Sequence, residues 1–395
     1  MTNEEFQLLK LIATIGNLND NNERIKYYEL NKNYLKDFSM IFVDNIFGMN
    51  KTDYLKKITE LDYDYNSLYS SNKLLCLNKK VLDNKNKGKD TLFRNQVCIT
   101  FDLNIISQLK YCKEKNLKDE ELTKIINLCK SGECAFDSMN FVIENFMKDK
   151  NNIGLDSFSI EDIRAFETIF PYKRFSYDRG IPIDERMKML LDLYSSKKFK
   201  QEILFVYESI YLLELAYLLC IIHIHFKYIK LSPKHKFEKF LDYCNDEIKA
   251  FHPCANNLAN LFYNNPELRF FKRIQKNNRQ IIETIENMAW DLFHLRFLEI
   301  SVKYSHEDTE VIMIPIFISK DKGLNEIKKA YQLKCLFKNL KTAECLCFYG
   351  MNSIDREYRN KYLNDSSIRD RVNTPHNFKY IIRQLKKEIL QNINS

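Results

Sequence analysis

Apolar positions along this chain fall mostly at helical spacing, interrupted by a few short β-rich runs that end in acidic residues. Glu4 to Gly16 and Glu23 to Asn45 read as helices, followed by a helical segment around Tyr54 to Glu60. The polar run Asp83-Asn-Lys-Asn-Lys-Gly-Lys-Asp90 has no periodicity and reads as a loop. Gln96 to Phe101 is rich in β-formers and lies between a charged loop and Asp102, the signature of a buried strand. Ile105 to Lys115 and Asp119 to Lys130 are helical by spacing, with Ser131-Gly132 closing the second. Asp137-Ser-Met-Asn reads as a helix start, and Phe141, Glu144 and Met147 follow at helical spacing.

The character changes from Asn151, where Asp156, Ser157 and Ser159 are cap candidates for a helix through Phe170. Helical spacing resumes from Asp184 to about Asn264, broken at Ser232-Pro233 and His252-Pro253. Asn278 to Ile300 carries Ile281, Ile285, Met288, Leu292, Leu295 and Leu298 on one stripe, and Asp291 falls inside it. Val311 to Ser319 is a second strand, which Pro315, lacking an N–H, confines to Ile316 to Ser319. A helix follows Gly323, and Glu344 to Tyr349 supplies a third strand. This order predicts a helix-rich α/β fold. Residues 1–90 form an N-terminal helical segment, 91–150 and 277–352 a small parallel-sheet core, 151–276 a helical insertion, and 353–395 a basic C-terminal extension. No fixed-period repeat is visible.

An apolar fraction of 45% with 13% aromatic residues excludes wholesale disorder, and only 8 Gly and 7 Pro leave few helix breakers. Eleven cysteines without a framework spacing read as reduced thiols of a cytoplasmic protein. Cys345-Leu-Cys347 alternates as strand residues do and reads as buried structural thiols. Met1-Thr-Asn-Glu-Glu-Phe has acids where a signal peptide needs a basic region. Phe205 to Phe226 is long enough to span a bilayer, but Glu208, Glu214, His223 and His225 inside it favour a buried core helix, and no membrane partner is expected. The net charge of +8 resides at one end, since Lys320 to Ser395 holds 16 Lys/Arg against 8 Asp/Glu. That excess suits nucleic acid, and equally a solvated helical surface.

The chemistry-bearing pattern is a pair of acids at strand ends more than 200 residues apart: Val-Cys-Ile-Thr-Phe-Asp102-Leu-Asn104 and Ile-Phe-Ile-Ser-Lys-Asp321. Carboxyl ends of parallel strands face one crevice, so such residues can share a site. Glu144 and Asp291 on helices complete a candidate set of four. Each has a plain alternative. Asp102 can cap the helix after it, Asp321 can belong to an ordinary turn, Asp291 can pair with Arg296, and Glu144 can be an exposed helix acid.

The order of these motifs resembles the PIN-like nuclease superfamily. Its members open with a strand ending in Asp-x-Asn, carry helix acids, and end with an aspartate after a Ser/Thr-containing strand. Phe101-Asp102-Leu-Asn104 matches the first element, Ile318-Ser319-Lys320-Asp321 the last, and Trp290-Asp291-Leu-Phe-His294 the helix acid before it. Glu144 corresponds to the remaining acid. The resemblance covers residues 96–150 and 278–351, and departs in the long central insertion and Pro315. It implies metal-dependent phosphodiester hydrolysis, of RNA in preference to DNA, and permits a role as toxin or defence effector. Asp102, Asp291 and Asp321 would be the metal ligands and Glu144 a further catalytic acid. Clustered carboxylates offer hard oxygens suited to Mg²⁺ or Mn²⁺. Asn104, Ser319, Lys320 and Lys322 are the candidate substrate-binding residues.

Two other readings stand beside it. Arg371-Val-Asn-Thr-Pro-His376 fits the Arg-x4-His spacing of the metal-independent HEPN ribonucleases, although Pro375 disfavours the helix that family requires. A non-enzymatic helical scaffold could instead bind nucleic acid or an acidic partner, with Tyr349, Tyr358, Tyr362 and Tyr380 interleaved among Arg356, Arg359, Arg369, Arg371 and Lys379. His223-Ile-His225 on a helix does not form a shared face, and Cys244, His252 and Cys254 lack a fourth zinc ligand.

Overall fold

A computed structural model describes residues 3–18, 20–44, 49–50, 64–69, 73–87, 94–115, 119–120, 123–125, 127, 134–148, 160–161, 163–164, 167, 182–303, 311–342, 345–349, 354, 356–364 and 377–394. The fold is helix-rich and mixed α/β, with two sheets. One is antiparallel and built from β1 (Phe38–Asp44), β2 (Met49–Asn50), β4 (Lys73–Leu77), β8 (Leu333–Asn339) and β9 (Cys345–Tyr349), in the order β2-β4-β1-β8-β9. The other holds β3 (Asp64–Ser67), β5 (Arg94–Phe101), β6 (Cys134–Asp137) and β7 (Val311–Ser319), in the order β3-β7-β5-β6. Within it β6, β5 and β7 run parallel, while β3 pairs antiparallel with β7. The chain leaves β5 for β6 on one side, and β7 later joins on the other. β5 is therefore the switch point at which an open parallel sheet presents a crevice.

The first helix, α1 (Asn3–Asn17), lies where its spacing places it. The second, α2 (Asn21–Leu30), is capped by Asp20 and stops early, because Phe38 to Asp44 forms a strand instead of continuing a helix. Among the described residues the N-terminal segment thus contributes four strands, β1 to β4, beside its helices, which corrects the all-helical expectation for 1–90. Its strand β1 pairs with β8, Phe38 against Asn339 and Met40 against Phe337, so a partner some 300 residues away overrides the local helical spacing. The same pairing takes β8 and β9 out of the parallel sheet. The strand expected as third there, Glu344 to Tyr349, is β9, and its place in the parallel sheet is taken by β6, of which only the last residue, Asp137, was read, as a helix start. The helix around Tyr54 to Glu60 lies outside the described residues. α3 (Lys79–Asn86) closes the N-terminal segment.

Pro315 does not shorten β7. Its carbonyl accepts from Leu68 N–H at 3.4 Å, so its nitrogen faces the side where β3 has passed its last pair, Ser67 with Ile316. No ladder donor is missed there.

After β5 come α4 (Leu103–Glu114) and, beyond β6, α5 (Met139–Lys148). The central helices are α6 (Ile183–Ser195), α7 (Leu204–Lys227), α8 (Pro233–Tyr243) and α9 (Pro253–Asn264). Ser232 and His252 cap α8 and α9, at the two Pro breaks. The helix Phe199–Lys227 is long and apolar enough to cross a membrane, and 56% of its most apolar stretch is buried in the fold. Along it, α10 (Ile281–Lys303) and the C-terminal α13 (Phe378–Asn394) pack. α11 (Lys322–Ile327) and α12 (Arg356–Tyr362) are short.

α7 is part of the core, and α13, within 353–395, buries Ile381, Ile382, Leu385 and Ile389. α10 is not amphipathic in the simple sense: Trp290, Phe293 and Phe297, off the predicted stripe, are buried too. Inside this core Arg296 binds Glu214 at 3.2 Å and also pairs with Glu299 and the Tyr349 hydroxyl, tying α10 to α7 and β9. Burial pushes Glu214 up to about 7, against the pull of Arg296 and a hydrogen bond from Tyr331. The nine cysteines whose side chains are described are thiols.

Candidate active site at the ends of the parallel strands

Asp102 directly follows β5. Its N–H donates to the Ile318 carbonyl at 3.0 Å and extends the ladder with β7, which fixes the side chain at the carboxyl edge of the sheet. One carboxylate oxygen accepts from the Asn104 N–H at 3.1 Å, and the other accepts from Ser319 Oγ at 2.9 Å. The helix-capping alternative is therefore true of Asp102, and it does not take the side chain away from the crevice.

Ser319 ends β7 and joins two acids. Its hydroxyl donates to Asp102 and accepts from the Asp321 N–H at 3.0 Å. Asp321 in turn caps α11 through a 2.7 Å bond from the Gly323 N–H. Only glycine fits there without movement, because a Cβ on Gly323 would come within 2.9 Å of both the Asp321 carboxylate and the Phe270 backbone.

Asp291 comes from α10 and faces the same space. Arg273, in the irregular segment before that helix, lays one guanidinium nitrogen 2.9 Å from Asp321 and 3.4 Å from Asp291. Burial, Asp102 and Asp321 together push the Asp291 carboxyl well above the usual carboxylate range, with Arg273 working against them. Glu144, on α5, is buried, not exposed as the plain alternative had it. Burial alone would raise its pKa, but His294 at 2.9 Å and Lys148, one turn along the helix, hold it below the usual value.

These groups enclose a cavity of about 310 Å³ into which Asp102, Glu144, Asp291 and Asp321 all open, with Lys148 and Arg273 as the cations. Four acids from four elements, 219 positions apart at the extremes, thus line one cavity. Asn104 lines it as well. Ser319 lies beneath, buried. Lys320 and Lys322 are exposed and do not line it.

Three residues of the site carried no assigned role in the sequence. His294 had a readable signal, since it lies three positions after Asp291 and hence on the same helix face. Lys148 stands in the same relation to Glu144 at i+4. Arg273 had none, because no periodic pattern covers its segment. Arg296, the expected partner of Asp291, is committed to the buried network instead.

The rival motifs fare differently. Arg371 and His376 lie outside the described residues. His223 meets Glu388 on α13 at 3.2 Å, as a core histidine does. His252 and Cys254 do gather, with Glu299 in place of Cys244, and their ligand atoms lie within 4.8 Å of one another. Glu299 is already engaged by Arg296, and burial, followed by the Arg296 charge, holds His252 well below the usual imidazole range. Of the C-terminal tyrosines, Tyr349, Tyr358 and Tyr362 are buried, and the last two donate to Glu238 and Asp242. Only Tyr380 is open for stacking.

No family model, curated protein or solved structure matches this chain.

Proposed function

We propose that this protein is a metal-dependent nuclease with a PIN-like core, hydrolysing phosphodiester bonds of RNA in preference to DNA. The observation that carries the reading is the convergence of Asp102, Glu144, Asp291 and Asp321 on one cavity at a sheet switch point. Burial first, and then the facing carboxylates of Asp102 and Asp321, raise the pKa of Asp291 against the pull of Arg273, as expected where acids crowd one pocket.

Asp102, Asp291 and Asp321 offer oxygen donors alone, a set that fits Mg²⁺ or Mn²⁺ and not a soft metal. Such an ion would supply Lewis acidity and a water of lowered pKa. The chain's own contribution is positioning. Ser319 fixes Asp102 and the backbone of Asp321 together, and Gly323 lets α11 approach closely enough to aim Asp321 inward. Arg273 balances the carboxylates here and is placed to turn to a phosphate oxygen when a cation takes over that task. Glu144 is held ionised by His294 and Lys148, and so keeps a fourth negative charge beside the reacting phosphate.

The test is cleavage of labelled RNA and DNA with Mn²⁺, with Mg²⁺ and with chelator. Cleavage abolished by chelator and by Asp102→Asn supports the proposal. Binding without cleavage in any metal would sink it and leave the non-enzymatic scaffold. Cleavage that survives chelator but fails in His376→Ala would transfer the activity to the HEPN-type motif.

A further inference from the structure

Beside the carboxylate cavity lies a larger one of about 790 Å³, within the roughly 300–1,000 Å³ typical of small-molecule sites. The two share Lys148, Asn287 and Trp290 in their walls. The larger cavity is built by α5, α7, α10 and α13, so most of it lies outside the part of the chain that carries the family resemblance. Its inner wall is apolar and aromatic: Leu204, Leu212 and Ile382, with Tyr211 stacked on Trp290 at 4.1 Å between ring centroids.

Its mouth is cationic. Lys379, Arg383 and Lys386 lie at i, i+4 and i+7 on α13, and Lys148 approaches from α5. Three of these charges are spoken for, Lys148 by Glu144, Lys379 by Glu208 at 2.8 Å and Lys386 by Glu286 at 2.5 Å, and the last two pairs brace α13 against α7 and α10. Arg383, between them, is exposed and makes no ion pair among the described residues. A planar apolar interior under a rim with surplus positive charge is complementary to one class of ligand: an aromatic base carrying a phosphate.

We infer that this cavity is a nucleotide pocket, holding one base of single-stranded RNA with its phosphate at Arg383, while the adjoining strand crosses the carboxylate site. The strand assignment rests on the nuclease reading; the chemistry of the pocket does not. A base seated against this apolar wall must be unpaired, so the pocket favours single-stranded over duplex RNA.

Trp290 is the only tryptophan of the chain and lines both cavities, which gives a direct readout. The full chain, in chelator, is titrated with adenosine monophosphate, with adenosine and with inorganic phosphate while Trp emission is followed. Anisotropy of labelled short single-stranded and duplex RNA is measured alongside. The expected result is saturable quenching by the nucleotide, stronger than by adenosine or phosphate alone, and preference for the single strand. Arg383→Glu should weaken both nucleotide and RNA binding about tenfold, the loss of one charge-assisted contact, without lowering the melting temperature. Leu212→Phe, which fills the apolar wall, should weaken them as well. Absence of quenching, equal response to phosphate alone, or undiminished binding in both variants would overturn the pocket. Quenching without cleavage in any metal would leave the pocket standing and defeat the nuclease reading. Cleavage with Mn²⁺ but no quenching would do the reverse.

Discussion

Replacing Asp291 by Asn removes one charge from the site while keeping its shape, and the structure fixes the sign of the effect. The carboxyl of Asp291 is crowded by burial, Asp102 and Asp321, and its pKa lies well above the usual range. At acid pH, below the ordinary carboxyl pKa of about 4, the group is protonated folded and unfolded, and the charge costs nothing. As pH rises from there towards the raised folded value, the unfolded chain ionises first, and the folded state loses stability. A tenfold weakening of a carboxyl's ionisation on folding costs about 1.4 kcal/mol. Asp291→Asn should therefore be more stable than the parent at neutral pH in chelator. In a chain of this size each 1.4 kcal/mol of that difference raises Tm by roughly 2 °C. The advantage should shrink as pH is lowered and vanish near pH 4. With saturating Mn²⁺ the order should invert. The parent gains stability by linkage, about 2.7 kcal/mol at a hundred times Kd, and the variant should gain little. Thermal melts of both proteins across pH, with chelator and with Mn²⁺, give all these quantities. A variant less stable than the parent in chelator, with a gap that closes as pH falls, would show that Asp291 is simply the ion-pair partner of Arg273 and would refute the reasoning.

Glu144→Gln should cost about 2–4 kcal/mol at neutral pH in urea melts, because the buried His294 loses its charged acceptor. The folded pKa of Glu144 is depressed, so this difference should fade as pH falls through it. Gly323→Ala should cost about 1–3 kcal/mol by thermal melt, since the added methyl meets the Phe270 backbone, and should weaken any Mn²⁺-induced stabilisation by shifting Asp321. Arg296→Ala should cost about 3–5 kcal/mol in urea melts, leaving Glu214 and Glu299 without their shared cation, and a change under about 1 kcal/mol would mean the network is not structural.

What was legible in the sequence was local. Asp102 and Asp321 declare themselves because each follows a β-rich run, and a strand end is a local pattern. Asp291 does so because an acid in an apolar helical stripe is conspicuous. The sheet topology was not legible for the same reason. Phe38 to Asp44 has the composition of a strand, yet its spacing also continues the helix before it, and β8, which decides between them, lies some 300 residues away. β6 is four residues long, too short to show a period. Arg273 sits in a turn with no repeat at all, and its role exists only once Asp291 and Asp321 have been brought together.

That arginine explains how the site can be folded and anionic at once. With Asp102, Asp291 and Asp321 facing one another, an uncompensated cluster would be the weakest part of the core. A guanidinium spanning Asp291 and Asp321 removes part of the cost from outside the secondary structure, where it can be withdrawn without breaking a helix or a strand. The compensation is incomplete, because the Arg273 side chain is 46% exposed and its charge is screened by water, and Asp291 stays perturbed in spite of it. Arg273→Ala should accordingly change stability in chelator by less than about 1 kcal/mol, and it should strengthen Mn²⁺ binding measured by calorimetry, since the ion no longer competes with a resident cation. Weaker Mn²⁺ binding in that variant would mean that Arg273 helps to assemble the acids instead of holding their place.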